Sequence, residues 1–389
     1  MELPPGIIKQ SSKREGRVCK LKKALYGLKQ SPRAWFGRFT LAMKTTGYQQ
    51  SNADHTLFVK HKDGKVTVLI VYVDDMILTG DDSEEMKTLQ EYLSAEFEMK
   101  DLGQLKYFLG IEVARSKQGI SLSQHKYVLD LLSETGMLAC KPVETPIQMN
   151  HRLGILPDQI PTDIGRYQRL VGKLIYLTHT RPDITYAVSI VSQFMHAPSE
   201  EHMDTVYRIL RYLKGALGKG LLYSKNGVSN IEGYTDADWA GDQTTRKSTS
   251  GYLTFVEGNL ITWRSKKQKV VARSSAEAEF RGMTQGICEL LWIKSVLKDL
   301  EIEYTDPINL YCANNAAIQI AHNPVQHDRI KHIEIDRHFI KEKLDQKIIS
   351  FPFVISANQL ADVLTKIVST KEFYHMIGKL DMINIYALT

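Results

Sequence analysis

Val66-Thr67-Val68-Leu69-Ile70-Val71-Tyr72-Val73-Asp74-Asp75 is an apolar, β-branched run ending on two adjacent carboxylates. It is too short and too branched for a helix, and reads as a strand buried on both faces, with the chain turning beyond it at Thr79-Gly80-Asp81-Asp82. Two carboxylates at the tip of a buried strand are unfavourable unless a cation holds them, and a divalent metal is the usual partner. The plainer reading is that Asp74-Asp75 merely opens a turn. Tyr72, two residues before Asp74, and the strand behind it favour the metal.

The chain has 389 residues, beyond the usual limit of one hydrophobic core, so two to three domains are expected. An apolar content of 43% is that of an ordinary globular protein. No apolar run approaches the roughly 18 residues that span a bilayer, and no secretory signal is visible at the N-terminus. Cys19, Cys140, Cys288 and Cys312 are scattered without metal-ligand spacing, which suits packed thiols in a reducing compartment.

The net charge of +6 is unevenly spread. Residues 9–38 carry ten Lys and Arg, among them Lys22, Lys23, Arg33 and Arg38, against the single acid Glu15. Tyr26, Trp35, Phe36 and Phe39 are interleaved with them. A second block holds Arg264, Lys266, Lys267, Lys269 and Arg273. Each block alone is read most simply as a solvated face. Cations among aromatics also suit a polyanion with stacking bases, and both blocks beside acidic metal-site candidates favour nucleic acid.

Helices are expected at 83–97, 124–134, within 163–215, at 276–300, 315–321, 334–344 and 359–368. Strands are expected at 105–113, 119–123, 231–236, 251–256, 260–264, 269–274, 308–312 and 349–355. Pro142, Pro146, Pro157 and Pro161 mark a linker. From residue 231 onward, three antiparallel strands followed by alternating helix and strand make a mixed sheet with helices on its faces. Its first strand is central and ends on Asp236. Glu279 opens the long helix and Asp362 the last one. Taken singly, Glu279 and Asp362 are first-turn acids favoured by the helix dipole. Taken together, the three acids converge on a pair of divalent ions, a set suited to phosphodiester hydrolysis.

These segments closely resemble the reverse transcriptase and ribonuclease H portion of copia-type LTR retrotransposon Pol polyproteins, particularly those of plants. The resemblance covers nearly the whole chain. It rests on the stretch Leu21 to Trp35, on Tyr72-Val73-Asp74-Asp75, on Asp101 to Gly110 and on Arg181 to Ala187. Further on it rests on Thr249 to Tyr252, Trp263 to Gln268, Ser274 to Glu279, Lys331 to Ile335 and Ala361 to Lys366.

The implied fold class is α/β (α+β): a truncated polymerase palm and thumb over 1–150, a linker and helical connection over 151–228, a ribonuclease H-like five-stranded mixed sheet over 229–370, and a C-terminal tail over 371–389. Asp74 and Asp75 are implied as the metal pair of the palm; Gly27, Leu28 and Gln30 as support for template and nucleotide; and Asp236, Glu279 and Asp362 as ribonuclease H metal ligands. His332 is implied near that site, in proton transfer or product release; read by itself, it is a histidine at a helix start. Mg²⁺ or Mn²⁺ is the implied cofactor. RNA–DNA hybrid, RNA template, DNA primer and dNTP are the implied partners, in the cytoplasm with virus-like particles or in the nucleus.

Two departures temper these expectations. The family's first catalytic aspartate precedes the segment at which this sequence starts, so an isolated chain is expected not to polymerise DNA. The family also places an aspartate after the cysteine of the fourth ribonuclease H strand, where Ala313 stands, so hybrid cleavage is expected to be impaired. A nucleic-acid-binding protein without catalysis, and a retroelement relic without a role, are the alternatives.

Overall fold

The computed structural model describes residues 20, 25, 27–149, 153–154, 158–227, 230–323 and 334–384. Contacts divide the chain into two compact units, Met1–Asp101 with Asp299–Glu301, and Leu102–Lys298 with Ile302–Thr389. The expected boundary at 150 thus falls inside the second unit. Among the described residues no helix is long and apolar enough to cross a membrane.

In the first unit, α1 (Ser31–Thr45) carries Pro32 in its first turn, where no N–H is required, and buries Phe39, Ala42 and Met43 at helical spacing. Strands β1 (Gln49–Gln50), β2 (Leu57–Lys62), β3 (Lys65–Tyr72) and β4 (Asp75–Gly80) form a sheet in chain order. Helix α2 (Ser83–Glu96) is capped by Asp82, whose carboxylate accepts the Glu85 N–H at 3.1 Å. Leu89 and Leu93 of α2 share one core with Phe39, Phe58, Leu69 and Val71.

Strand β3 is not buried on both faces. Thr67, Leu69 and Val71 are buried while Val66, Val68 and Ile70 are half-buried, because the strand is antiparallel to both neighbours and alternates its side chains. The turn also comes earlier than expected. Tyr72 pairs with Asp75, leaving Val73 and Asp74 as a two-residue hairpin loop. Val73 has φ +53° and only it of the two is left-handed, a position that glycine usually fills. A β-branched residue there stores roughly 1–3 kcal/mol of strain. Since Val73 is 67% exposed and its side chain adds little to the core, Val73→Asn should stabilise this unit by about 1 kcal/mol. A urea midpoint that stays put or falls would refute this.

The second unit begins with β5 (Tyr107–Phe108), β6 (Ile111–Arg115) and β7 (Gly119–Ser123). The single strand expected over 105–113 is broken by a turn at Leu109-Gly110, where both residues have positive φ. Helices α3 (His125–Glu134), α4 (Ile164–Leu177), α5 (Thr185–Val191) and α6 (Glu200–Gly215) follow, then β8 (Lys219–Ser224). The Ser199 hydroxyl and His202 cap α6 reciprocally.

Next come β9 (Ile231–Ala237), β10 (Thr249–Val256), β11 (Asn259–Lys267), α7 (Ser275–Asp299), β12 (Ile308–Cys312), α8 (Asn315–His322), α9 (Glu334–Asp345) and β13 (Ile349–Ser350). The expected strand at 269–274 is absent: Gln268 makes the last sheet bond, to Ser248 O, and the Arg273 N–H turns to the Glu277 carboxylate at the start of α7. The strand expected over 349–355 shrinks to two residues plus a bridge between Cys312 and Phe353, with Pro352 lacking a ladder N–H.

The expected C-terminal tail is structured. Helix α10 (Thr370–Lys379), with its Ser369–Glu372 capping box, buries Phe373, Met376 and Ile377, and β14 (Met382–Asn384) pairs with β8. The reason is apolar periodicity, which a tail would leave in water.

Two five-stranded sheets result. One is antiparallel in the order β14-β8-β7-β6-β5. The other has the order β11-β10-β9-β12-β13, with β10 antiparallel to β9 and β11, and β12 parallel to β9 and β13. This is the expected ribonuclease H-like mixed sheet, with β9 at its centre. Leu253, Phe255 and Leu260 share a core with Tyr167, Leu174 and Ile209 of the helical segment. Ile231, Leu310 and Cys312 share another with Phe280, Met283, Ile287 and Leu290 of α7.

A buried polar knot lies within this unit. Arg181, 1% exposed, donates from Nε and Nη2 to the two carboxylate oxygens of Asp183 at 2.9 and 2.7 Å. Its Nη1 reaches Ala216 O at 3.0 Å, and the Tyr212 hydroxyl donates to Asp183 Oδ2 at 2.6 Å.

Candidate active site

Strand β9 pairs its Asp236 with Gly251 of β10. At Gly251 a Cβ would lie 2.7 Å from Leu364 Cβ and 2.9 Å from Thr365 Cγ2, so the missing side chain lets the 360–365 segment press onto the sheet. That segment is a 3₁₀ turn, Leu360–Leu364, where a helix over 359–368 was expected. All five of its residues are buried, so it is an inserted plug with no solvent face for an amphipathic helix to present. Gln359 anchors it by donating to Thr235 O at 3.0 Å.

Helix α7 approaches the same strand from another side. At Gly282 a Cβ would lie 3.2 Å from Thr235 Oγ1 and 3.5 Å from Asp236 O. Glu279 sits three residues earlier, on the same buried face as Met283 and Gly286, and in the second turn of the helix. Gln268 ties the start of α7 to the sheet, donating to Ala278 O and Ser250 Oγ at 2.8 Å each.

Asp236, Glu279 and Asp362 are therefore brought together, 4%, 6% and 5% exposed. Burial pushes the Glu279 carboxyl well above the usual range, and the Asp236 charge adds to it. Burial, then Asp236, raises Asp362 likewise. Glu279 Oε2 is buried without a hydrogen-bond partner. The Thr365 hydroxyl donates to Asp236 Oδ2. The Lys366 ammonium lies 2.8 Å from Asp362 Oδ1 and 3.8 Å from Asp236 Oδ1.

The end of β12 adjoins this cluster. Cys312 pairs with Thr235, so Ala313 follows Cys312 as Asp236 follows Thr235 on the parallel neighbour. Burial and the nearby Glu279 carboxylate push the Cys312 thiol up to about 12. Ala313 itself is half-buried.

A divalent ion is chemically suited to these donors. Three carboxylates are hard oxygen ligands of the kind Mg²⁺ and Mn²⁺ prefer, and the partnerless Oε2 of Glu279 is a buried acceptor without a cation. Their spacing, with Lys366 between Asp236 and Asp362, is a separate matter: among the described residues no group of three or more His, Cys, Asp or Glu is spaced to hold a metal ion.

The other expected positions lie elsewhere. Asp74 is in the hairpin loop and Asp75 opens β4, both exposed, so the burial penalty foreseen for a strand-end pair does not arise. Gly27, with φ +85°, and Gln30 precede α1, while Arg33 in its first turn is exposed. Tyr72 is 58% exposed. Lys266 and Arg273 are exposed, and Lys267 is ion-paired with Asp242. Lys22, Lys23 and His332 fall outside the described residues.

Sequence reasoning missed Thr365 and Lys366, although Asp362 and Lys366 have the i, i+4 spacing of an ion pair. It also passed over Trp239, which follows β9. Its Nε1 donates to Ala272 O at 3.1 Å while its ring stays 56% exposed beside the basic loop.

Residues 1–149 match the family model "Reverse transcriptase (RNA-dependent DNA polymerase)". The Retrovirus-related Pol polyprotein from transposon RE1 of Arabidopsis thaliana is 43% identical over 98% of this chain. The putative transposon Ty5-1 protein of Saccharomyces cerevisiae is 31% identical over 74% of this chain and 94% of its own length. The chain belongs to the copia-type retrotransposon Pol polyproteins. It spans 26% of the length of the RE1 polyprotein. Among solved structures, a foamy viral protease-reverse transcriptase in complex with dsDNA is 15% identical, with a TM-score of 0.45, covering 85% of this chain and 60% of that one. The fold assignment stands on the strand order above. The reverse transcriptase match covers the first unit and runs on into the second, to residue 149, and the second unit also holds the ribonuclease H-like mixed sheet.

Proposed function

We propose that the second unit hydrolyses the RNA strand of RNA–DNA hybrids, weakly, at Asp236, Glu279 and Asp362. The observation that carries this reading is the burial of these three carboxylates together, from three separate elements, at the end of the central strand of a mixed sheet. Mg²⁺ or Mn²⁺ held by them would supply an activated water and stabilise the leaving oxygen. The chain's own residues orient that set. Thr365 fixes one Asp236 oxygen, and Gln359 holds the plug that bears Asp362. The exposed Lys266, Lys269 and Arg273, with Trp239 beside them, suit the phosphates and sugars of the hybrid. In this reading His332 assists product release or proton transfer.

For the first unit, an RNA template, DNA primer and dNTP are the corresponding partners. Gly27, Gln30, Arg33 and Tyr72 would face them, with Asp74 and Asp75 as metal ligands.

Asp236→Asn should lower cleavage of a labelled hybrid in Mn²⁺ by at least about a hundredfold, as loss of a two-metal ligand should. Equal rates for the wild type and this variant would remove the reading. A nucleic-acid-binding protein without catalysis is the second reading, favoured by Ala313 at the strand end beside Asp236. Salt-dependent affinity for hybrid, unchanged by Asp236→Asn and with no cleavage by either protein, is its signature.

A further inference from the structure

Three carboxylates this close and this buried are not all ionised without a cation among them. The chain brings its own. Lys366 follows the 3₁₀ plug by two residues, and its Nζ lies 2.8 Å from Asp362 Oδ1 and 3.8 Å from Asp236 Oδ1. The ammonium stands where a cation bridging these two acids would stand. Glu279 Oε2, in a side chain 6% exposed, is left without a partner, because the single ammonium reaches only two of the three acids. The Lys366 side chain is itself 45% exposed, so its head group has a route to solvent that the acids lack.

We propose that Lys366 is a resident counter-ion of the carboxylate cluster, which a divalent ion must displace to bind. Resting on the ribonuclease H reading, this adds a competition built into the same site. Without metal, Lys366 holds Asp236 and Asp362 in place. With metal, it swings out along its exposed stem, and the vacated oxygens and Glu279 Oε2 become ligands together.

The test measures Mn²⁺ binding directly, from the electron paramagnetic resonance of the free ion, on the whole chain. Lys366→Met should bind Mn²⁺ at least about tenfold tighter than wild type, since a unit charge within about 4 Å of the site is removed. Lys366→Arg keeps the charge and should stay within about threefold. On the unaltered chain, acetylation of Lys366 read by mass spectrometry should be slow without metal and several-fold faster with saturating Mn²⁺. Should Lys366→Met fail to fold, the acetylation result decides. Equal or weaker binding by Lys366→Met, or acetylation indifferent to Mn²⁺, overturns the proposal. Asp236→Asn separates the two readings. If it binds Mn²⁺ as the wild type does, the ribonuclease H reading fails. If it abolishes binding that Lys366→Met leaves unchanged, only the counter-ion role fails.

Discussion

Asp183→Ala should destabilise the second unit by about 3–5 kcal/mol, the loss expected when one partner of a buried ion pair is removed. Arg181 and Asp183 are almost wholly buried, and both guanidinium bonds to the carboxylate are near ideal length. Removing the carboxylate strands a guanidinium with one remaining acceptor, Ala216 O, and takes away the acceptor of the Tyr212 hydroxyl proton. Burial alone would raise the Asp183 carboxyl, but Arg181 outweighs it and holds the group below its usual value. Its contribution is therefore present above the unfolded carboxyl value, near 3.9, and is lost as pH falls below it through the folded value. Replacing both partners by apolar residues of similar volume, Arg181→Met with Asp183→Leu, should recover most of the loss. Urea denaturation of the wild type and the two variants measures this. A single-variant loss under about 1 kcal/mol, or a double variant no better than the single, would show that the knot is not a stability determinant.

The second large effect is catalytic. Ala313→Asp should raise hybrid cleavage by at least about tenfold, equivalent to roughly 1.4 kcal/mol of barrier. Position 313 follows the residue paired with Thr235, and so enters the cluster beside Asp236. Without metal, a fourth carboxylate in this set is repulsive, so the variant should melt lower than wild type and regain stability in Mn²⁺. Hybrid cleavage assays with melting curves test both halves. A rate no higher than wild type, with stability unaffected by Mn²⁺, would favour the non-catalytic reading.

How much of this the sequence discloses depends on what each residue's neighbours are. The β9–β11 strands, α7, β12 and α8 follow from local signals: alternation, helical spacing and the Glu257-Gly258 turn, whose residues both have positive φ. Their order suffices to bring Asp236 and Glu279 together. Asp362 is flanked by the apolar Leu360, Ala361, Val363 and Leu364, in a stretch expected to be helical. A segment buried all round has no period to read, and only the contact at Gly251 shows it to be a plug. Lys366 was passed over because its meaning is tertiary, arising only when Asp236 arrives from 130 residues earlier in the chain. The Val73 turn was missed because β-branched residues avoid positive φ, so propensity argues against the conformation adopted. The helix after Ser369 was readable from Ser369 and Glu372, a capping pair that went unused.

The antiparallel sheet of the second unit joins β5–β7, near residue 115, to β8 beyond residue 218 and to β14 at Met382–Asn384. During synthesis, β7 must wait about a hundred residues for β8, and β8 waits for β14 until residue 384 has emerged from the ribosome. Closure of this sheet therefore waits until residue 384 is available, with a high loop-closure entropy and a slow search. Until then the edge of β8 is an open template for other strands, which makes the newly made chain dependent on dilution or chaperones.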